Sequence, residues 1–355
     1  LSKAKAGLIG TVFFWSYAVG QLINGNIGDK VRSRIFIFTG LISAAVINLI
    51  VGFSSRLWLI AILWGLNGFF LSFLWGPIIK TLSFWFSREK KTKVAVGIST
   101  SMIGGYLFTW GIVGQIIAYN NNWRWAFWIT AFIVFSFSFV WLLKVKNHPR
   151  EVGLSSPNIL VKNKNNNIKN IEEDNFKEDN KIKNEKKDEK ENTFLSFFHL
   201  ILNSKLWIIA LACLSLGIVK EGIILWGPTF LSDTYEIGHN YISAFSLFIP
   251  LLSLVGIIGS GYINDKFKFR DKVSVMILMA GAGVSLLLLY FFIGFNIVLH
   301  AFLLGAGVAF MFGANTLLLA VIPMNFAEDN KISGVAGFLD FFSYIGAALA
   351  GVLVG

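Results

Sequence analysis

Charge is what this chain has least of. Asp, Glu, Lys and Arg make up 14% of the 355 residues, whereas an average soluble domain carries about 25%. Apolar residues make up 55% and aromatic residues 15%. That balance excludes an ordinary soluble fold. A single cysteine, Cys213, excludes an intrachain disulfide and leaves no thiolate cluster for a metal. The four histidines, His148, His199, His239 and His300, include no pair at helical i, i+4 spacing, so a helical metal site has no support. No nucleophile, base and orienting residue gather in a recognisable motif, which argues against an enzyme. No cofactor is called for.

What is present is a succession of apolar runs, each about 20 residues long, enough to cross roughly 30 Å of hydrocarbon. We read ten spans: 7–27, 35–53, 57–86, 94–118, 125–145, 206–231, 241–264, 273–293, 297–323 and 333–355. The expected class is an all-α polytopic membrane protein, with the lipid bilayer as its surroundings. The formal charge of +11 does not imply nucleic acid. The segment 146–206 holds 12 Lys/Arg against 10 Asp/Glu, leaving 19 against 10 for the apolar remainder. This excess concentrates in alternate loops, at Asp29–Arg34, Arg88–Lys93, Lys146–Lys205 and Asp265–Lys272. By the positive-inside rule those loops are cytoplasmic.

Between the fifth and sixth spans lies an Asn-, Lys- and Glu-rich stretch with "NKNNNIKNIEEDNFKEDNKIKNEKKDEKEN" at its core. It has too few apolar side chains to offset chain entropy, so a disordered cytoplasmic linker is expected over 151–200. It divides the chain into helical bundles at 1–150 and 201–355.

The two bundles share a signature. "GNIGDK" (Gly25 to Lys30) recurs as "GYINDK" (Gly261 to Lys266), each followed by further basic residues. The first follows the first span of its half and the second follows the second. If the halves are repeats, one helix is expected ahead of this chain and one beyond it, giving two sixes.

These features resemble the major facilitator superfamily, whose halves are six-helix repeats with a Gly-x-x-x-Asp-Arg/Lys loop between their second and third helices. "NNWRWAFWI" (Asn121 to Ile129) is similar to the family's entry into helix six. Within the superfamily, "YAVGQLINGNIGDKVRSRIFIFTGLI", "WGPIIKTLSFWFS", "KEGIILWGPTFL" and "HPREVGL" resemble the organophosphate:inorganic phosphate antiporters. The resemblance implies a major facilitator fold, here helices 2 to 11 of twelve, and a monomer working by alternating access. The implied substrate is a small organic anion such as a phosphate ester, with phosphate as counter-substrate. It also implies a conformational latch made by Gly25, Asp29, Lys30 and Arg34 in one half and Gly261, Asp265, Lys266 and Arg270 in the other. The bland alternative for the bases is a purely topological signal.

Ionisable groups inside spans are the best site candidates, because each costs about 2.5–3.5 kcal/mol to insert at a helix centre. Lys220 lies 14 residues beyond Leu206, about 21 Å along a helix and too deep to snorkel easily. The resemblance places it where the antiporters carry a phosphate-binding arginine. Lysine keeps the charge and loses the planar fork. Glu221 points about 100° away from Lys220 and is not automatically its partner. It is read as a coupling-proton site, which motivates a proton-symport alternative. Asp340 admits three readings: counterion, proton site, or a residue facing a hydrated vestibule. Lys80 matches a basic family position and reads equally as a cavity lysine or a snorkelling one. Gln21 stands where the glycerol-3-phosphate transporter has a lysine, and Ser101 where it has a histidine. Both substitutions lower the positive potential of the cavity. The Gly-rich "GAGVAFMFGAN" (Gly305 to Asn315) reads as a helix-packing stretch. A non-transporting sensor is the other function class kept open.

Overall fold

The computed structural model describes residues 3–155, 157, 204–235, 239–267, 270–327 and 331–353. The expected linker falls outside these residues apart from its start, a 3-10 turn over Pro149–Val152 that ends on Gly153 at φ 75°. Among the described residues the elements are helical throughout. They are α1 (Lys3–Lys30), α2 (Ser33–Phe53), α3 (Leu57–Leu71), α4 (Trp75–Trp85), α5 (Lys91–Leu107), α6 (Gly114–Asn120) and α7 (Arg124–Lys144). After the linker come α8 (Ser204–Tyr235), α9 (His239–Lys266), α10 (Asp271–Phe291), α11 (Ile297–Thr316), α12 (Ile322–Met324) and α13 (Ile332–Leu353).

Taken as continuous runs, α3–α4, α5–α6 and α11–α12 each make one span, so among the described residues ten helical rods stand where ten were expected. Eight of these runs are long and apolar enough to cross a membrane. The two 28-residue helices outside that set, α1 and α9, carry the repeated motif at their ends. Their interiors bury Gln21, Asn24, Ser253 and Ser260 instead of a uniformly apolar face. Outward-facing aromatics and aliphatics such as Phe132, Phe135, Leu143, Met276 and Leu287 form the apolar belt that hydrocarbon requires.

Two of the rods contain a π turn. A π turn at Phe108–Val113 joins α5 to α6, and another at Leu317–Val321 joins α11 to α12. The tetrapeptide "LWGP" occurs twice, at Leu74 to Pro77 and at Leu225 to Pro228, and the first copy coincides with a break. Ser72–Leu74 turn out of α3, and α4 starts at Trp75 with Pro77 in its first turn, where the missing N–H costs little. The second copy lies inside the unbroken α8.

At the centre α13 packs against both α1 and α8. Glycines set these distances. A Cβ on Gly337 would collide with the Gln21 carbonyl and the Gly25 backbone of α1, and one on Gly346 with the Leu214 carbonyl of α8. Backbones brought this close gain van der Waals contact that lipid cannot supply.

Candidate functional site

The polar groups of the interior collect where α1, α8, α11 and α13 meet. Lys220 is 4% exposed. Its Nζ lies 3.2 Å from Glu221 Oε1 and donates to Asn315 Oδ1 at 3.3 Å, while sitting 5.2 Å from the Phe312 ring centroid. The ammonium therefore has an anion, an amide acceptor and a π face around it. The expected separation of Lys220 and Glu221 does not hold. Their Cβ positions diverge around the helix, yet the four-carbon lysine stem swings its ammonium back to the neighbouring carboxylate.

Asp340, buried on α13, lies within electrostatic range of Lys220, of Tyr17 on α1 and of Tyr344 on its own helix. Tyr17 and Tyr344 pack against each other across the α1–α13 contact, their rings tilted by 37° with 4.2 Å between centroids. Gln21 is fully buried one turn from Tyr17. The Tyr17 hydroxyl is near enough to interact with its amide, which completes no hydrogen bond of good geometry. Tyr106 on α5 meets Phe312 edge to face at 6.3 Å. Ser101 is exposed and bonds back to the Ile98 carbonyl, away from this cluster.

Lys80 is elsewhere. Its ammonium donates to the carbonyls of Gly28 and Asp29 at 2.9 and 2.5 Å, capping the C-terminus of α1. A cation there complements the negative end of the helix dipole. Of the two readings open for Lys80, cavity lysine or snorkelling lysine, neither describes this contact with the carbonyls that end α1.

The two motif copies behave differently. Asp29 accepts from the backbone N–H of Ser333 and Gly334 at 2.8 and 2.7 Å, capping the first turn of α13 across 304 residues of sequence. Burial pushes its carboxyl up to about 6, against the lowering influence of the two N–H bonds and of Lys80 and Lys30. Gly25 faces Gly337. Lys30 is exposed, and Arg34 turns back within its own half to donate to the Leu142 carbonyl at the end of α7 at 2.6 Å. In the second copy Asp265, Lys266 and Arg270 are exposed. The cross-contact there is made one residue earlier, by buried Asn264, whose amide donates to Thr92 at the start of α5 and to Asp271, each at 3.0 Å. Gly261 lies against Val96. Lys91 pairs with Asp271 at 3.1 Å and donates to Asn325 at 2.6 Å. Trp75 Nε1 donates to the Leu319 carbonyl, inside the π turn, at 3.0 Å. The contacts of Asp29, Asn264, Lys91 and Trp75 join the two halves and close the end of the molecule that carries the basic loops.

Sequence reasoning missed Asn315, Phe312, Tyr17 and Tyr344 at the centre, and Asn264, Asp271 and Lys91 at the closed end. Asn315 was visible as the one amide ending the Gly-rich stretch. The family profile described as Major Facilitator Superfamily matches residues 1–351. Among similar curated proteins, the membrane sensor protein UhpC of Salmonella typhimurium is 25% identical over 357 residues, covering 99% of this chain and 76% of that protein. A glycerol-3-phosphate transporter of Bacillus subtilis is 28% identical over 366 residues, 100% of this chain and 78% of that one. A probable hexose phosphate transport protein of Chlamydia trachomatis is 25% identical over 366 residues, 99% and 76% respectively.

Proposed function

The chain belongs to the Major Facilitator Superfamily, and from that premise we propose that it moves a small phosphorylated anion across a cell membrane in exchange for phosphate. The two helical bundles, 1–150 and 201–355, rock about a midplane site, opening it to one side and then the other. The end with the basic loops faces the cytoplasm, as does the linker between the bundles. The working unit in this proposal is the monomer. Relatives named as transporters of glycerol-3-phosphate and hexose phosphate support this reading over catalysis.

The observation that carries the proposal is Lys220: a buried cation halfway along its helix, against Asn315 and Phe312 of α11 and near the α1–α13 contact. A buried charge that serves no surface is costly unless function retains it. Lys220, with Gln21 alongside Tyr17, is the substrate-binding part. Glu221 is the direct counterion of Lys220, and Asp340 is a second carboxyl within electrostatic range of it. The latch of Asp29 on α13 holds the basic end shut while the site is open to the other side.

The test is phosphate counterflow in proteoliposomes. Lys220→Ala is expected to cut exchange of phosphate and phosphate esters by about 100-fold or more, the scale of losing a charge-assisted anion contact in a low-dielectric site. Lys220→Arg should retain a measurable fraction. Exchange by Lys220→Ala at the parental rate overturns the proposal. One relative is named as a sensor, which supports a second reading. A sensor is stabilised by ligand in a thermal-shift assay and shows no counterflow.

A further inference from the structure

The site carries its own anion. Lys220 and Glu221 are neighbours on one helix, their side chains are 5% and 11% exposed, and their charged atoms are 3.2 Å apart. Rocking of the bundles moves α8 as a unit, so this pair is not separated by the motion that opens and closes the site. Without Glu221 the ammonium would have to cross the occluded, empty state with no direct ion pair, Asp340 lying near it but not in contact with it, at a desolvation cost of several kcal/mol. In a carrier that cost is what forbids the empty protein from reorienting and forces one-for-one exchange.

Resting on the transport reading above, we infer that Glu221 is an internal stand-in for the substrate anion, and that the empty protein reorients. It therefore performs net, downhill flux of its anion as well as exchange. Asn315 and Phe312 hold the ammonium in place while the carboxylate occupies the position the substrate takes. The incoming anion displaces Glu221 from Lys220, and Glu221 returns when the anion leaves. A substrate that must displace a tethered carboxylate binds more weakly than it would to a free lysine.

The experiment compares two rates in proteoliposomes loaded with labelled phosphate, with potassium equal on both sides and valinomycin present to carry the compensating charge: efflux into phosphate-free buffer and exchange against external phosphate. Wild type should show efflux within about tenfold of exchange, and Glu221→Gln should lower the ratio of efflux to exchange by about tenfold or more. Its half-saturating phosphate concentration should fall as well. Glu221→Asp keeps the anion and should restore a wild-type ratio, which separates charge from a folding defect. If Glu221→Gln does not fold, the wild-type ratio decides alone. Efflux below about one hundredth of exchange in wild type overturns the inference. An unchanged ratio in a folded Glu221→Gln does the same. So does efflux that a protonophore accelerates by relieving an opposing proton gradient, because it assigns the carboxylates to proton coupling. Absence of exchange in wild type overturns instead the transport reading on which the inference stands.

Discussion

Asp29 shows how one carboxylate couples conformation to pH. In water an aspartate titrates near 3.9; capping α13, this one is pushed up to about 6, with burial the largest cause. The closed arrangement therefore binds a proton more readily than any arrangement that returns Asp29 to solvent. Closure is favoured as pH falls through about 6, reaches its full extent below about 4, and weakens as pH rises. Hydrogen exchange of the Ser333 and Gly334 amides, corrected for intrinsic chemistry, should show protection rising between pH 7.5 and 5. Asp29→Asn, neutral throughout, should give a flat profile; a profile as steep as wild type would show that another group titrates. Lys80 makes a second contrast at this scale. Because its ammonium satisfies two terminal carbonyls of α1, Lys80→Ala should cost about 1–3 kcal/mol of stability. The half-saturating phosphate concentration should stay unchanged. A selective rise in that concentration at unchanged stability would return Lys80 to the cavity.

At the scale of elements, α13 is the shared wall of the site, and glycines on it and its neighbours let three helices meet. Gly217 of α8 abuts the Ser343 carbonyl, so Gly217→Val has no flexible side chain to push aside. It should destabilise by about 1–3 kcal/mol or more, read as a lower thermal midpoint in detergent. Gly283 of α10, where an added Cβ would meet open space, is the control: Gly283→Val should change little. The ten rods were legible because 20-residue apolar runs have one physical reading. The interruptions were not, because Phe108–Val113 and Leu317–Val321 contain ordinary helix-compatible residues. Lys220 stood out because a charge in hydrocarbon has contrast. Tyr17, Tyr344 and Phe312 had none in a chain with 35 phenylalanines and 8 tyrosines. The second motif copy was misread by one residue, since each step at a helix end rotates the side chain by about 100°. That step puts Asn264 inside and Asp265 in solvent.

For the whole molecule, the closed end is held by many modest contacts. The Lys91–Asp271 pair, at 15% and 11% side-chain exposure, is not fully desolvated, and pairs near a surface are worth about 1 kcal/mol or less. Asn264 adds a neutral bond to Thr92, and Trp75 a bond to a π-turn carbonyl. A carrier needs this distribution, because an end sealed by one deep energy well would not reopen on the timescale of turnover. Locking the end covalently should therefore stop transport without disturbing the site. Thr92→Cys with Asn264→Cys places two thiols where side chains now meet at 3.0 Å, and the one native cysteine, Cys213, is buried out of reach. Oxidation of the double variant is expected to abolish phosphate exchange, and reduction to restore it, with ligand-induced thermal stabilisation surviving in the oxidised form. Exchange that continues after complete cross-linking would mean that this end does not open during transport.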